Sequence, residues 1–113
     1  MNSAKNQRFI HERQIDSLMR YAGENFPSCV AAVLADPHGF LVAGHKKQGI
    51  NVSEELLALQ AVSEESLINL GDFQQYRQQL SKELNLLLIA RKDRNNATNY
   101  DRLMTILKRS SVF

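Results

Sequence analysis

The chain has 113 residues, 43% of them hydrophobic and 23% charged, which is typical of one globular domain and does not indicate a disordered chain. Its single cysteine, Cys29, excludes an internal disulfide and a CxxC metal site, and a formal net charge of +2 does not indicate nucleic-acid binding. No apolar run approaches the ~20 residues of a membrane helix, and residues 1–14 lack the apolar core of a signal peptide, so we expect a soluble, cytoplasmic protein.

The first predicted element is an amphipathic helix over residues 7–25. His11 extends its apolar stripe by one turn, and Gly23 and Pro27 favour its end. The stripe follows the i, i+3, i+4, i+7 spacing of one helix face and consists of Ile15, Leu18, Met19 and Ala22.

A β-hairpin is predicted over residues 29–45. Residues 29–35 form a continuous apolar run with β-branched members, which is typical of a strand covered on both faces. The segment 36–39, DPHG, has aspartate, proline and glycine at the positions that a tight turn favours. Residues 40–45 then form the returning strand.

A second helix is predicted from Val52 to about residue 70, ended by Gly71. Asn51 is its predicted N-cap, with Glu54 three residues later in a capping box. The apolar side chains cover more than one stripe, so one apolar flank is left after the helix packs on its own sheet. They are Leu56, Leu57, Leu59, Ala61, Val62, Leu67, Ile68 and Leu70.

Residues 72–84 admit two interpretations. Phe73, Tyr76, Leu80 and Leu84 fit helical spacing, which favours a helix. The polar character of the segment also suits an edge strand. The sequence leaves this choice open, with the helix preferred.

The end of the chain is predicted to contain a buried strand and a last helix. Residues 85–92 include the short apolar run LLLIA between polar clusters, which favours a strand. After the loop 93–99, a helix starts at Tyr100, with Thr98 and Asp101 in capping-box spacing. Its predicted apolar face consists of Tyr100, Leu103, Met104 and Leu107.

These elements predict one α/β domain over residues 1–113, with residues 1–6 and 110–113 frayed. Helices must cover the apolar strands, so the architecture is a sandwich of two or three layers around a small, mostly antiparallel sheet. Charge is asymmetric along the chain: residues 51–73 carry five acidic side chains and no basic one, whereas residues 76–113 carry eight basic side chains and three acidic ones. Such asymmetry can steer a partner or pair two subunits.

The sequence contains no recognisable catalytic or metal-binding arrangement. His11, His38 and His45 form no i, i+3 or i, i+4 pair, and no glycine-rich phosphate loop or nucleophile elbow is present. Cys29 has no neighbour that would lower its pKa, so we interpret it as a small buried hydrophobe. We therefore expect no enzyme activity, no cofactor and no metal.

Several segments together resemble the roadblock (dynein light-chain type) family. They are a leading amphipathic helix, the strand CVAAVLAD, a D-x-x-G turn, the strand GFLVAGH and the capped helix INVSEELLALQAVSEES. The resemblance covers residues 7–70, and NLLLIARKD and NYDRLMTILKRS fit the closing part of that family. The family usually has two more strands before its last strand, and residues 71–84 have little room for both.

The resemblance implies a non-enzymatic, homodimeric scaffold or regulator that binds a small Ras-like GTPase, a motor or another protein complex. Family members commonly join their sheets edge to edge and pair their second helices. The implied interface residues are Phe40 and Val42 on the hairpin edge, and Leu57, Ala61 and Ile68 on the second helix. The alternative is a small-ligand sensor of profilin-like or GAF-like architecture.

Overall fold

The structure, a computed structural model, describes residues 16–47 and 50–109. Within these residues, three helices and four strands follow one another in the order α1, β1, β2, α2, β3, β4, α3. The predicted helical residues 7–15, including His11 and Ile15, lie outside the described residues. The elements are α1 at 16–25, β1 at Cys29–Ala35, β2 at Leu41–Lys46, α2 at Glu54–Val62, β3 at Gln74–Gln79, β4 at Asn85–Ala90 and α3 at Asn96–Arg109.

The four strands form one antiparallel sheet in the order β2-β1-β4-β3. The two central strands are the most apolar segments of the chain, and every residue of β1 is buried. Of the two edge strands, β2 is mostly half-buried and β3 is mostly exposed. Burial on both faces explains the continuous apolar runs of β1 and β4.

Helices cover both faces of the sheet. On one face, Leu34 of β1 and Leu88 of β4 pack with Leu18 of α1 and Leu103 of α3. On the other face, a second cluster packs against α2 and includes Val33, Leu57, Ala58, Leu87 and Ile89. The predicted α/β sandwich is therefore confirmed in its three-layered form, with the sheet between α2 and the pair α1 and α3.

The predicted hairpin is confirmed. The Gly39 amide donates to the Asp36 carbonyl at 3.0 Å, and Asp36 Oδ1 accepts from the His38 and Phe40 amides at 2.9 Å each. Gly39 has a φ of 86°, in the left-handed region that glycine adopts without steric cost. The hydrogen bonds of the turn are thus all made within residues 36–40.

The predicted bounds of the second helix are wrong at both ends. Its N-cap is Ser53, whose hydroxyl accepts from the Leu56 amide at 3.1 Å, and not Asn51. Helix α2 ends at Val62, so Gly71 does not terminate it. The buried Gln60 side chain holds the chain after α2 in an irregular path, because it donates to the Glu65 carbonyl and accepts from the Leu67 amide at 2.7 Å.

The preference for a helix within residues 72–84 is wrong, since this segment contains strand β3. Tyr76 stacks on Tyr100 of α3 with ring centroids 4.9 Å apart and also contacts Phe26. Alternation along β3 presents Tyr76 to the face of the sheet that α1 and α3 cover, where these contacts form. One strand, β3, stands between α2 and β4, where the resembled family usually has two.

Helix α3 starts at Asn96, four positions before the predicted start. Asp93 shapes this start, because its Oδ1 accepts from the Asn95 amide at 2.8 Å and its carbonyl accepts from the Asn96 amide at 3.1 Å. Thr98 therefore lies inside the helix and is not its N-cap. The predicted apolar face is confirmed by the burial of Leu103, Met104 and Leu107, beside the half-buried Tyr100.

Candidate interaction surface

The described residues hold little that points to catalysis. His38 lies at the hairpin tip and His45 on the edge strand β2, and both are exposed. Among residues 16–47 and 50–109, no three histidine, cysteine or acidic side chains are grouped so that they could hold a metal ion. Nor does any helix in this part of the chain have the length and apolar character needed to span a membrane.

Cys29 is buried at the start of β1. Its thiol donates to the Ala31 carbonyl at 3.2 Å. Burial raises the pKa of the Cys29 thiol because desolvation penalises the thiolate. The residue therefore behaves as the small hydrophobe that the sequence predicts, and the thiolate needed for nucleophilic chemistry is disfavoured.

One buried polar cluster joins three parts of the fold. The Asn96 amide nitrogen donates to Gln74 Oε1 at 2.6 Å and to the Arg91 carbonyl at 2.8 Å. Asn96 Oδ1 accepts a hydrogen bond from the Ser28 hydroxyl. All polar atoms of Asn96 are thus used in tying the start of α3 to β3 and to the residues around β1 and β4, which is a structural role.

The most prominent surface feature is a group of exposed apolar side chains beside the hairpin. Phe40 is 69% exposed and Val42 43%, and Leu59 of α2 is 44% exposed. The hairpin tip lies against α2, because a Cβ atom at Gly39 would be only 2.8 Å from Leu59 Cδ2. We call Phe40, Val42 and Leu59, together with Leu56 one turn earlier on α2, the hairpin–helix surface.

The free edge of β2 borders this surface. The Lys47 amide donates to the Val30 carbonyl of β1 at 2.8 Å, and bonding in an antiparallel ladder alternates along the strand. The backbone groups of Gly44 and Lys46 therefore point away from β1, toward the outside of the sheet. Such a row of free donors and acceptors can pair with another strand.

The residues that the resemblance assigned to an interface separate into two groups. Phe40 and Val42 are exposed on the hairpin, so they are available to a partner. Leu57, Ala61 and Ile68 are buried in the protein's own core on the α2 side of the sheet. Their assignment to a surface is wrong, because the stripe of α2 that contains Leu57 and Ala61 is the one that covers β1 and β4.

The exposed apolar residues of α2 are instead Leu56 and Leu59, whose exposure the apolar pattern did not predict. They are three positions apart and so share a helix face. The buried positions of α2 are Leu57, Ala58, Gln60 and Ala61. Ala58 and Ala61 mark the face of α2 that packs on the sheet, because their small side chains permit close approach. In the sequence, Leu56 and Leu59 could therefore have been identified as exposed from their positions away from that alanine face.

An open groove of about 440 Å³ lies after α2, beside β3. Residues 66–71, Phe73 and Gln75 line it. It is one place in the described structure where the alternative small-ligand function can be sought. No protein-family model, curated protein or solved structure matches this chain.

Proposed function

We propose that the protein is a non-enzymatic protein-binding domain that forms a homodimer through the hairpin–helix surface. The observation that carries this proposal is the juxtaposition of exposed Phe40, Val42 and Leu59 with the free edge of β2. Grouped apolar side chains on a small domain are typical of interaction sites, and covering them releases their surface from water.

The wider role follows from the sequence resemblance. A roadblock-type dimer would act as a scaffold or regulator for a small Ras-like GTPase, a motor or another protein complex, in the cytoplasm. Pairing at the β2 edge leaves β3 and both helices of the opposite sheet face free for such a partner.

Replacing Phe40 with glutamate tests the dimer. We expect Phe40→Glu to raise the dimer dissociation constant by about tenfold or more, because a charged carboxylate would have to be buried in an apolar contact. The native fold should persist, since Phe40 is 69% exposed. Analytical ultracentrifugation gives the dissociation constant, and far-UV circular dichroism verifies the fold.

Leu67→Glu is the matched control for this experiment. Leu67 is 47% exposed but lies in the segment after α2, outside the hairpin–helix surface. The Leu67→Glu substitution should therefore leave the dimer dissociation constant unchanged. A wild-type chain that sediments as a monomer throughout the micromolar range, or equal effects of the two substitutions, would contradict the proposal.

The alternative is a small-ligand sensor, and the open groove beside β3 is the observation that supports it. A thermal-shift screen with nucleotides and metabolites separates the two functions. Saturable stabilisation by one compound, in a chain that stays monomeric, would favour the sensor.

A further inference from the structure

The outer edge of β3 is open and lacks the features that usually protect a sheet edge. β3 pairs with β4 from Gln74 to Gln79, and no other strand of the described residues lies on its outer side. Edge strands are commonly protected by proline, by a bulge or by a charged side chain. Between residues 74 and 79, β3 contains no proline and no register shift. The strand therefore presents a regular row of backbone donors and acceptors.

Arg77 is the only charged residue of β3, and its side chain is drawn over the sheet toward the end of α2. Its guanidinium group donates to the carbonyls of Gln60 and Ser63. The charge that would discourage an incoming strand is thus engaged within the protein's own fold. The other side chains of β3, one tyrosine and four glutamines, are uncharged.

The direction of the backbone hydrogen bonds alternates along β3. The Leu80 amide donates to the Leu84 carbonyl at 2.9 Å, so the even-numbered positions of β3 are the ones bonded to β4. The amides and carbonyls of Gln75 and Arg77 therefore point outward. A strand placed beside β3 can bond to both of these residues.

An open groove lies beside β3 on each face of the sheet. The groove described above is on the face that α2 covers, and Gln75 contributes to it. On the face that α3 covers, a second groove has a volume of about 190 Å³ and is lined by Gln78, Gln79, Leu80, Met104, Leu107 and Lys108. Successive side chains of a strand point to opposite faces, so a strand added to β3 would direct alternate side chains toward the two grooves.

The two grooves differ in chemistry. The groove on the α2 face is lined by uncharged residues, among them Ser66 and Asn69, which suits small or neutral side chains. The groove on the α3 face combines the apolar side chains of Leu80 and Met104 with the exposed ammonium group of Lys108. It suits an apolar side chain that has a carboxylate beside it on the same face.

From these observations we infer that β3 binds an extended segment of another protein as an added strand of the sheet. On the side that faces α3, the segment carries an apolar residue and, two positions away, an acidic residue. Backbone hydrogen bonds to Gln75 and Arg77 supply affinity, and the groove on the α3 face supplies specificity. This site lies at the edge opposite β2, so it goes beyond the proposed homodimer and does not require it.

Selection of displayed peptides tests the inference. Random peptides of about ten residues, long enough to cover an edge strand, are selected against the whole chain. We expect the enriched peptides to share an apolar residue two positions from an acidic one. Synthetic copies of them should slow hydrogen exchange at the Gln75 and Arg77 amides. The absence of an enriched pattern, or an enriched pattern without this spacing, would overturn the inference.

Gln75→Pro tests the backbone pairing, because it removes one outward donor. Proline is tolerated on an edge strand where the N–H faces solvent, so the fold should persist, which circular dichroism verifies. The selected peptides should bind to this variant about tenfold more weakly than to the wild type. Gln75→Ala keeps the donor and should change their affinity by less than about threefold. Equal binding to Gln75→Pro and the wild type would overturn the inference.

Lys108→Glu tests the charge of the partner, with Arg109→Glu as its matched control. Both residues are exposed and lie in the last turn of α3, but Lys108 lines the groove and Arg109 does not. Lys108→Glu should weaken binding of the selected peptides about fivefold or more, because an attraction becomes a repulsion. Arg109→Glu should change it by less than about twofold. Equal effects of the two reversals would indicate general charge attraction and overturn the assignment of an acidic residue to this groove.

Discussion

Leu57→Glu is expected to unfold the domain, whereas Leu59→Glu leaves it folded. Leu57 is fully buried in the cluster that contains Val33, Leu87 and Ile89, and Leu59, two positions later, is 44% exposed. Truncating a buried leucine to alanine typically costs about 2–5 kcal/mol. A glutamate adds the cost of burying an unpaired carboxylate, and the sum approaches the whole stability of a small domain, about 5–15 kcal/mol.

Urea unfolding followed by circular dichroism measures this difference. Leu59→Glu should change the free energy of unfolding by less than about 1 kcal/mol at a concentration where the chain is monomeric. It should also weaken the dimer, since Leu59 belongs to the hairpin–helix surface. A Leu57→Glu protein with a cooperative transition close to that of the wild type would show that α2 packs on the sheet through another stripe.

The substitution Asn96→Asp, which hardly changes the shape of the side chain, is also expected to lower the free energy of unfolding strongly. The Asn96 nitrogen donates to Gln74 Oε1 and to the Arg91 carbonyl, and an aspartate would direct an oxygen at these two acceptors. The structure would then lose two hydrogen bonds and bury a carboxylate among oxygen atoms. We expect a loss of about 3 kcal/mol or more in the free energy of unfolding at neutral pH.

The stability loss of Asn96→Asp should depend on pH. Burial among acceptors raises the pKa of the introduced carboxyl group above its unfolded value, and the protonated form can donate one hydrogen bond again. The deficit relative to the wild type should therefore shrink as the pH falls below neutral. Asn95→Asp, at the exposed neighbouring position, should cost less than about 1 kcal/mol. Equal effects at the two positions would contradict the role assigned to Asn96.

The hairpin could be predicted because its determinants are local. Asp36 and Gly39 lie within one turn and supply its hydrogen bonds and its positive φ angle. The two central strands could likewise be predicted, since strands buried on both faces need continuous apolar runs. The layered α/β architecture then follows from covering those strands with helices.

The errors lie where contacts of particular side chains override the apolar pattern. Residues 67–70 continue the apolar pattern of α2, but hydrogen bonds of the Gln60 side chain hold the chain outside the helix. Tyr76 also fits helical spacing, but its segment pairs with β4 as a strand and Tyr76 stacks on Tyr100 of α3. Contacts between segments far apart in sequence cannot be read from periodicity alone.

The residues of the candidate interface could be predicted only in part, because the apolar pattern of α2 does not show which of its residues face the sheet. When a helix has two apolar flanks, one of them remains exposed after the other packs on the sheet. The sequence pattern does not show which flank is the exposed one. The pattern assigned Leu57 to the surface, and the structure places Leu59 there instead. Phe40 and Val42 are exposed on the hairpin, and their role in pairing stays a prediction.

Amide hydrogen exchange at increasing protein concentration tests the pairing of β2 edges most directly. The outward amides of Gly44 and Lys46 should exchange more slowly as the chain dimerises, because they become bonded across the new edge. On β3, the Leu80 amide donates to the Leu84 carbonyl, so the alternating ladder directs the amides of Gln75 and Arg77 outward. These two amides should exchange at a constant rate. Protection that is independent of concentration at Gly44 and Lys46, or that develops on β3 instead, would contradict self-association through the hairpin edge.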